Sequence, residues 1–294
     1  MKKNKIIYPV GVIDVGSNSV RLMFTDGIFT TKNLMITRLG GGFLPDGSLS
    51  ASAMLVTANA INKLKNLAIQ KGAKSVMVFA TAAVRKATNK SEFVSLVKDI
   101  AGLEVDVVSG ELEAELAVRG ALQKDSGAVI DVGGASTEIA FSKNGEIYYK
   151  KSYNVGAVTL FTKFNRNKEE IEKYLDGFIV DKYSYDESNV MSVGGTATSL
   201  GAVSLNLKEY DANLVNGKYL SINDLEKVKE TLYSLTPDEI SSTFAVERKR
   251  ADVIAGGASI ILKILKAYNL TGFTVSESDN LEGYLDFALS LSNS

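Results

Sequence analysis

Two short segments of this 294-residue chain repeat one pattern. Asp14-Val15-Gly16-Ser17-Asn18-Ser19 and Asp131-Val132-Gly133-Gly134-Ala135-Ser136 each end an apolar run on a carboxylate and follow it with a glycine turn. Glycine lets the backbone approach an anion closely and aim N–H groups at it. Ser17, Asn18, Ser19, Ser136 and Thr137 add side-chain donors. The carboxylate can hold a cation, or orient the water or hydroxyl that attacks phosphorus. One such turn is explained as well by a hairpin with a capping aspartate. Two of them, 117 residues apart, point to phosphate chemistry.

Other segments extend that reading. Gly194-Gly195-Thr196 follows an apolar run and opens a helical pattern, so orphan N–H groups and the helix dipole can receive an anion there. Arg85, after Ala80-Thr81-Ala82-Ala83-Val84, and Arg21, just past the first turn, can each clamp a phosphate with a forked guanidinium. Ser109-Gly110-Glu111-Leu112-Glu113-Ala114-Glu115 starts a helix with three carboxylates. Such residues often only complement the helix dipole. One of them can instead serve as general base for an attacking water.

Composition narrows the chemistry. The chain has no cysteine and no histidine. Thiolate nucleophiles, disulfides, His-ligated metals and the Ser-His-Asp triad are excluded. Carboxylates, Lys, Arg, hydroxyls, backbone N–H groups or a hard cation such as Mg²⁺ remain. A net charge of -1 argues against a nucleic-acid partner. No stretch approaches the ~20 apolar residues of a membrane span. The run after Met1-Lys2-Lys3-Asn4-Lys5 is too short, and too soon broken by Asp14, for a signal peptide. The expected location is the cytoplasm, with no membrane partner.

The elements that must position these residues read as alternating strands and helices. Val10 to Phe24 is strand, turn, strand, and Asp26-Gly27 offers a hairpin turn. Further strands are expected at Ile36–Leu39, Ser75–Ala80, Glu104–Val108, Asn189–Val193 and Gly272–Val275. Helices are expected at 50–70, 91–101, 109–123, 157–164, 168–176, 222–235, 250–267 and 281–291, and one after Thr196. Gly11–Phe24 and Ala128–Phe141 align with seven of 14 positions identical, and each is followed by a turn signal. That self-similarity predicts a duplicated βββαβα-type half. The expected organisation is α/β, with a boundary near 120–126 and a cleft between the halves.

Taken together these segments resemble the exopolyphosphatase/guanosine-pentaphosphate phosphohydrolase (Ppx/GppA) family, in its short two-domain form. The resemblance runs through Ile13–Leu22, Thr37-Arg38-Leu39-Gly40, Ala80–Arg85, Ser109–Ala114, Asn154–Val158, Gly194–Thr198 and Arg250–Ile254. It implies two ribonuclease-H-like (actin-like ATPase/ASKHA) domains, 1–124 joined by the terminal helix 281–294, and 125–280. It implies Glu113 as the catalytic base and Asp14, Asp131 and Glu138 around Mg²⁺ or another divalent cation. Phosphate is then expected on Gly16, Ser17, Asn18, Ser19, Arg21, Arg85, Gly133, Gly134, Ser136, Thr137, Gly194, Gly195 and Thr196. Leu112 departs from the family's Glu-Glu pair. Ala135 stands where a third glycine is usual, and its methyl would strain a left-handed backbone.

The resulting expectation is a phosphohydrolase that releases terminal phosphate from inorganic polyphosphate or guanosine pentaphosphate, and dimers are common in the family. Two other classes fit the same loops: a regulatory protein that binds a guanosine alarmone or polyphosphate with little turnover, which Ala135 favours, and an actin-like ATP-dependent kinase, which the Ser-Asn-Ser-x-Arg segment opposes.

Overall fold

A computed structural model describes residues 6–123, 125–178 and 189–293. The basic stretch Met1–Lys5 lies outside the described residues, as does Lys124 within the expected boundary. The chain divides into two compact units, one of residues 1–120 and 280–294, the other of residues 121–279.

Unit 1 opens with β1 (Val10–Val15), β2 (Ser19–Thr25) and β3 (Thr30–Ile36). It continues through α1 (Ala51–Gln70), β4 (Ser75–Ala80), α2 (Ala82–Lys86), α3 (Lys90–Ala101), β5 (Val105–Val107) and α4 (Gly110–Ala121). The sheet order is β3-β2-β1-β4-β5. The first three strands form an antiparallel meander, and β4 and β5 run parallel to β1. Asp26 makes the β2–β3 hairpin by accepting from the N–H groups of Ile28 and Phe29. Alternation along β1 sends Ile13 and Val15 into one core layer, with α1 and α3, and Val10 and Val12 into another.

Unit 2 repeats the plan. Its strands are β6 (Gly127–Val132), β7 (Thr137–Lys143), β8 (Glu146–Tyr153) and β9 (Val190–Val193), with α5 (Ala157–Phe164) and α6 (Lys168–Phe178) between β8 and β9. There follow α7 (Gly194–Ser204), α8 (Ala212–Val215), β10 (Tyr219–Ser221), α9 (Ile222–Ser234), α10 (Pro237–Thr243), α11 (Arg248–Ala251), α12 (Ile254–Ala267) and β11 (Gly272–Val275). The order β8-β7-β6-β9-β11 matches that of unit 1, and β10 adds an antiparallel edge. Both sheets have the ribonuclease-H-like arrangement that the family resemblance implies.

The last helix, α13 (Asn280–Asn293), belongs to unit 1. Tyr284 stacks on Phe79 with ring centroids 4.4 Å apart and donates to Asp106. Gly283 lets α13 meet α4, since a Cβ there would stand 1.9 Å from the Leu116 carbonyl oxygen.

Several boundaries differ from the sequence reading, three of them for a visible physical reason. The strand expected at Ile36–Leu39 lies earlier, over Thr30–Ile36, and shares only Ile36 with that expectation. The N–H groups of Thr37 and Arg38 leave the ladder for the Asn18 carbonyl, and Arg38 turns left-handed (φ 54°) into a 3₁₀ turn over Leu39–Gly42. The helix expected over 250–267 is two helices, parted at Asp252-Val253 by a tight bond from Val253 N–H to Arg250 C=O. The helix expected to reach 123 stops at Ala121, and Gln123 is left-handed.

Candidate active site

The two matched turns close with the same bond. Gly16 N–H donates to Ser19 C=O at 3.0 Å, and Gly133 N–H donates to Ser136 C=O at 3.0 Å. Each turn is then pinned through its carbonyls by the segment that follows the third strand of its meander. In unit 1, Gly40 N–H reaches the Ser17 carbonyl at 2.7 Å, and Thr37 and Arg38 reach that of Asn18. In unit 2, Ala157 N–H reaches the Gly133 carbonyl at 2.9 Å and Thr159 N–H that of Gly134 at 3.0 Å. Gly156 makes this possible: a Cβ would lie 2.4 Å from the Gly134 carbonyl carbon and 2.6 Å from the Ala135 nitrogen. Carbonyls tied in this way orient the turn's peptide planes and so its N–H groups.

Ala135 takes a place in its turn without strain. Neither it nor Gly133 or Gly134 has a positive φ. The methyl therefore meets no conformational penalty of the kind its replacement of glycine suggested. Leu112, the other departure, packs partly buried against the core layer that holds Val10, Phe79 and Leu281.

The strand register pairs each turn's aspartate with one residue of the next strand. Asp14 faces Arg21, and Asp131 faces Glu138. These are equivalent positions of the duplication, and the charge is inverted between them. In unit 1, Arg21 Nε and Nη2 both donate to Asp14 Oδ2, at 3.0 and 2.5 Å. That pair neutralises itself. Asp14 thus has a guanidinium as its partner where a cation was expected, and the Arg21 fork lies on a carboxylate where phosphate was expected. In unit 2 two buried carboxylates stand opposite each other, an arrangement that is unfavourable unless a cation or proton joins them. Ser152, opposite Glu138 on β8, donates to Glu138 Oε1 at 2.7 Å and fixes its orientation. Gly194, left-handed at φ 78°, clears space beside Asp131, because a Cβ there would lie 2.9 Å from Oδ1. This oxygen-only cradle of Asp131 and Glu138 fits a hard divalent cation, which commonly binds through one or two carboxylates plus substrate phosphates and waters. Among the described residues no cluster of three acidic ligands exists.

The strand-to-helix turn after β9 leads directly into α7 through Gly194 and Gly195. No side chain caps α7, so its first N–H groups are not taken by a cap. The hydroxyls of two threonines expected on phosphate hold backbone carbonyls. Thr137 donates to the Val155 carbonyl at 2.7 Å and is fully buried, and Thr196 donates to the Val132 carbonyl at 2.7 Å. Each hydroxyl proton is committed to a carbonyl, so what remains is acceptor capacity, which a phosphate oxygen does not use. Arg250 opens the matching segment Arg250–Ile254. The structure brings its guanidinium over Gly195 and to the Ser199 hydroxyl at 3.2 Å.

In unit 1, Ser109 caps α4 by accepting from Leu112 N–H, which fixes Glu113 in the first turn. Glu113 is 5% exposed. Arg85, at the end of α2, donates to Glu113 Oε2 at 2.8 Å and to the Val108 carbonyl at 2.9 Å. Burial pushes the Glu113 carboxyl above its usual range. Arg85 opposes that shift and the Asp14 charge adds to it. Glu111, one residue into the same helix, is exposed, so the helix buries the carboxylate that precedes Ala114 and not its neighbour.

Among the described residues no helix is long and apolar enough to cross a membrane. The sequence profile of the Ppx/GppA phosphatase family matches residues 23–290. Exopolyphosphatase 2 of Mycobacterium tuberculosis is 28% identical over 96% of this chain and 98% of its own length. A guanosine-5'-triphosphate,3'-diphosphate pyrophosphatase of Photobacterium profundum is 25% identical over 96% of this chain. A bifunctional 3-dehydroquinate synthase/phosphatase of Fusobacterium nucleatum is 27% identical over 92% of it. The chain spans 60% and 45% of those last two proteins. A crystal structure of the Aquifex aeolicus Ppx/GppA family member is 31% identical, covers 97% of this chain and 98% of its own, and superposes with a TM-score of 0.78.

Proposed function

The chain belongs to the Ppx/GppA phosphatase family, and from that premise we propose that it hydrolyses the terminal phosphoanhydride of inorganic polyphosphate or of guanosine-5'-triphosphate,3'-diphosphate. The observation that carries this reading is Glu113, a buried carboxylate with a raised pKa, oriented by Arg85. A carboxyl moved up towards neutrality is a better proton acceptor from water while still ionised at working pH. Glu113 takes a proton from water as the water oxygen bonds to the terminal phosphorus. The bridging P–O bond breaks, and its electron pair leaves with the shortened chain.

The remaining residues act by binding and charge. Arg85 steadies Glu113, and with Arg21 it is a donor available to a phosphoryl group that displaces a carboxylate partner. The N–H groups of both matched turns and of the first turn of α7 bind phosphate oxygens. Asp131 and Glu138 would hold Mg²⁺ or a similar cation, which supplies neutralisation of phosphate charge when bound. Asp14 positions Arg21. The test is phosphate release from both substrates, with and without Mg²⁺. Mg²⁺-dependent release from one or both is expected. No release from either, with intact folding, contradicts the proposal.

A further inference from the structure

The hydrolase reading uses only one end of the unit 1 sheet. From the first glycine turn, β2 carries the chain roughly 20 Å away, at about 3.4 Å per residue, to the β2–β3 hairpin. Ile28 and Phe29 stand at the tip of that hairpin, 84% and 74% exposed. No other large apolar side chain among the described residues exceeds 57%. Two more exposed apolar residues, Ile7 and Tyr8, lie at the same end. The Tyr8 ring is 3.7 Å from the place of a Cβ on Gly27, and Ile7 N–H donates to Ser75 Oγ at the start of β4. Single exposed apolar side chains are ordinary, whereas a contiguous group marks an interaction surface.

The tip is also closed on itself. Asp26 N–H donates to the Phe29 carbonyl at 3.3 Å and Gly27 N–H to Thr25 Oγ1 at 3.1 Å. The N–H groups of Ile28 and Phe29 donate to Asp26 Oδ1 at 2.9 and 2.8 Å. Every N–H from Asp26 to Phe29 therefore has a partner that is not water. Backbone that enters lipid must meet that condition.

The charge around the tip is positive. Three segments converge there, because Val10 on β1 pairs with Thr25 and with Ser75, and Lys74 N–H donates to the Pro9 carbonyl. Residues 6–10, 26–33 and 70–75 hold three lysines, Lys32, Lys71 and Lys74, and one carboxylate, Asp26. Lys32 pairs with Glu282. Lys71 Nζ donates to Thr31 Oγ1 at 2.8 Å, which keeps its charge two residues from Phe29. Lys71 and Lys74 are both exposed. A protein partner would have to supply a shaped pocket for a projecting tip. Hydrocarbon takes any apolar side chain, and anionic headgroups attract the lysines beside it.

We propose that the Ile28–Phe29 hairpin is a membrane-surface anchor, whose tip enters the interface of a bilayer rich in anionic lipid while Lys71 and Lys74 lie on the headgroups. Such attachment needs no spanning helix. It does not rest on the hydrolase reading, since the anchor and the first phosphate turn occupy opposite strand ends.

Co-sedimentation of the full chain with vesicles tests this, using phosphatidylcholine alone and an equal mixture of phosphatidylcholine and phosphatidylglycerol. Binding is expected on the mixed vesicles, with little on phosphatidylcholine and less at high salt. Ile28→Ser/Phe29→Ser should weaken it by about tenfold or more. Lys71→Glu/Lys74→Glu should weaken it by about tenfold. Both variants should melt as the wild type does and keep its rate of phosphate release in solution. No binding to the mixed vesicles overturns the proposal, as does binding that the serine pair leaves unchanged. Self-association in sedimentation velocity that the serine pair abolishes would give the tip to a second copy of the chain, and overturns it too. Absence of hydrolysis would sink the hydrolase reading and leave the vesicle comparison intact.

Discussion

Gly156→Ala isolates the support of the second phosphate turn. The new methyl would meet three backbone atoms: the Gly134 carbonyl carbon at 2.4 Å, its oxygen at 2.5 Å and the Ala135 nitrogen at 2.6 Å. Ordinary contact begins near 3.4 Å, so the turn and the segment behind it must separate by roughly 1 Å. None of the three atoms belongs to a flexible side chain that could swing away. The displacement also stretches the bonds from Ala157 N–H and Thr159 N–H, which hold the turn's carbonyls. Overpacking of this kind costs about 1–3 kcal/mol. A misplacement of about 1 Å near the reacting group can cost about 10²-fold in rate. The assay is steady-state phosphate release beside a thermal melt. A kcat lowered by about two orders of magnitude with a moderately lowered Tm is expected. Gly177→Ala is the control, because nothing lies within 4 Å of its Cβ. A Gly156→Ala enzyme with kcat within about threefold of wild type would refute the claim that the 156–159 segment positions the turn.

The pH profile should follow Glu113. Burial raises its pKa, and the base works ionised, so kcat/KM should climb with pH through that raised value and then level. Arg85→Ala removes a lowering influence and should move the acid limb to higher pH. Asp14→Asn removes a raising one and should move it lower; limbs that stay put in both variants count against Glu113 as the titrating base. Glu138→Arg would give unit 2 the same cross-strand pair that Asp14 and Arg21 form in unit 1. It should fold, and the rise in Tm that Mg²⁺ gives the wild type should vanish; a retained rise places the cation elsewhere. Thr137→Val should lower stability by about 1–3 kcal/mol in denaturant melts, by leaving the buried Val155 carbonyl without its donor. A raised KM at unchanged stability would return Thr137 to the phosphate.

What the sequence displayed and what it hid divide along contact range. The repeat of Gly11–Phe24 at Ala128–Phe141 is local, and both copies fold into the same strand-turn-strand with the same closing bond. Hydrophobic periodicity likewise located Ser75–Ala80 and Gly272–Val275 to the residue, because buried strands bounded by turn residues carry a strong short-range signal. The Arg38 turn leaves no mark in the local sequence because its cause is distant: the Asn18 carbonyl draws the N–H groups of Thr37 and Arg38 out of the ladder. Long-range pairing also sets the hydrogen bonds of Thr137, Thr196 and Arg250, whose partners lie 18, 64 and 51 residues away. The charge inversion between Arg21 and Glu138 was visible in the aligned repeat. It acquires meaning only with the strand register, which sets each against its aspartate.

The most direct measurement compares phosphate release by wild type and Glu113→Gln, on inorganic polyphosphate and guanosine pentaphosphate with saturating Mg²⁺. The amide keeps the shape of the side chain and a hydrogen bond to Arg85, and loses the ability to take a proton from water. A fall in kcat of about 10²–10⁴-fold, with binding of guanosine β,γ-imidotriphosphate retained, is the expected result. Wild-type turnover by Glu113→Gln would contradict water activation by this carboxylate.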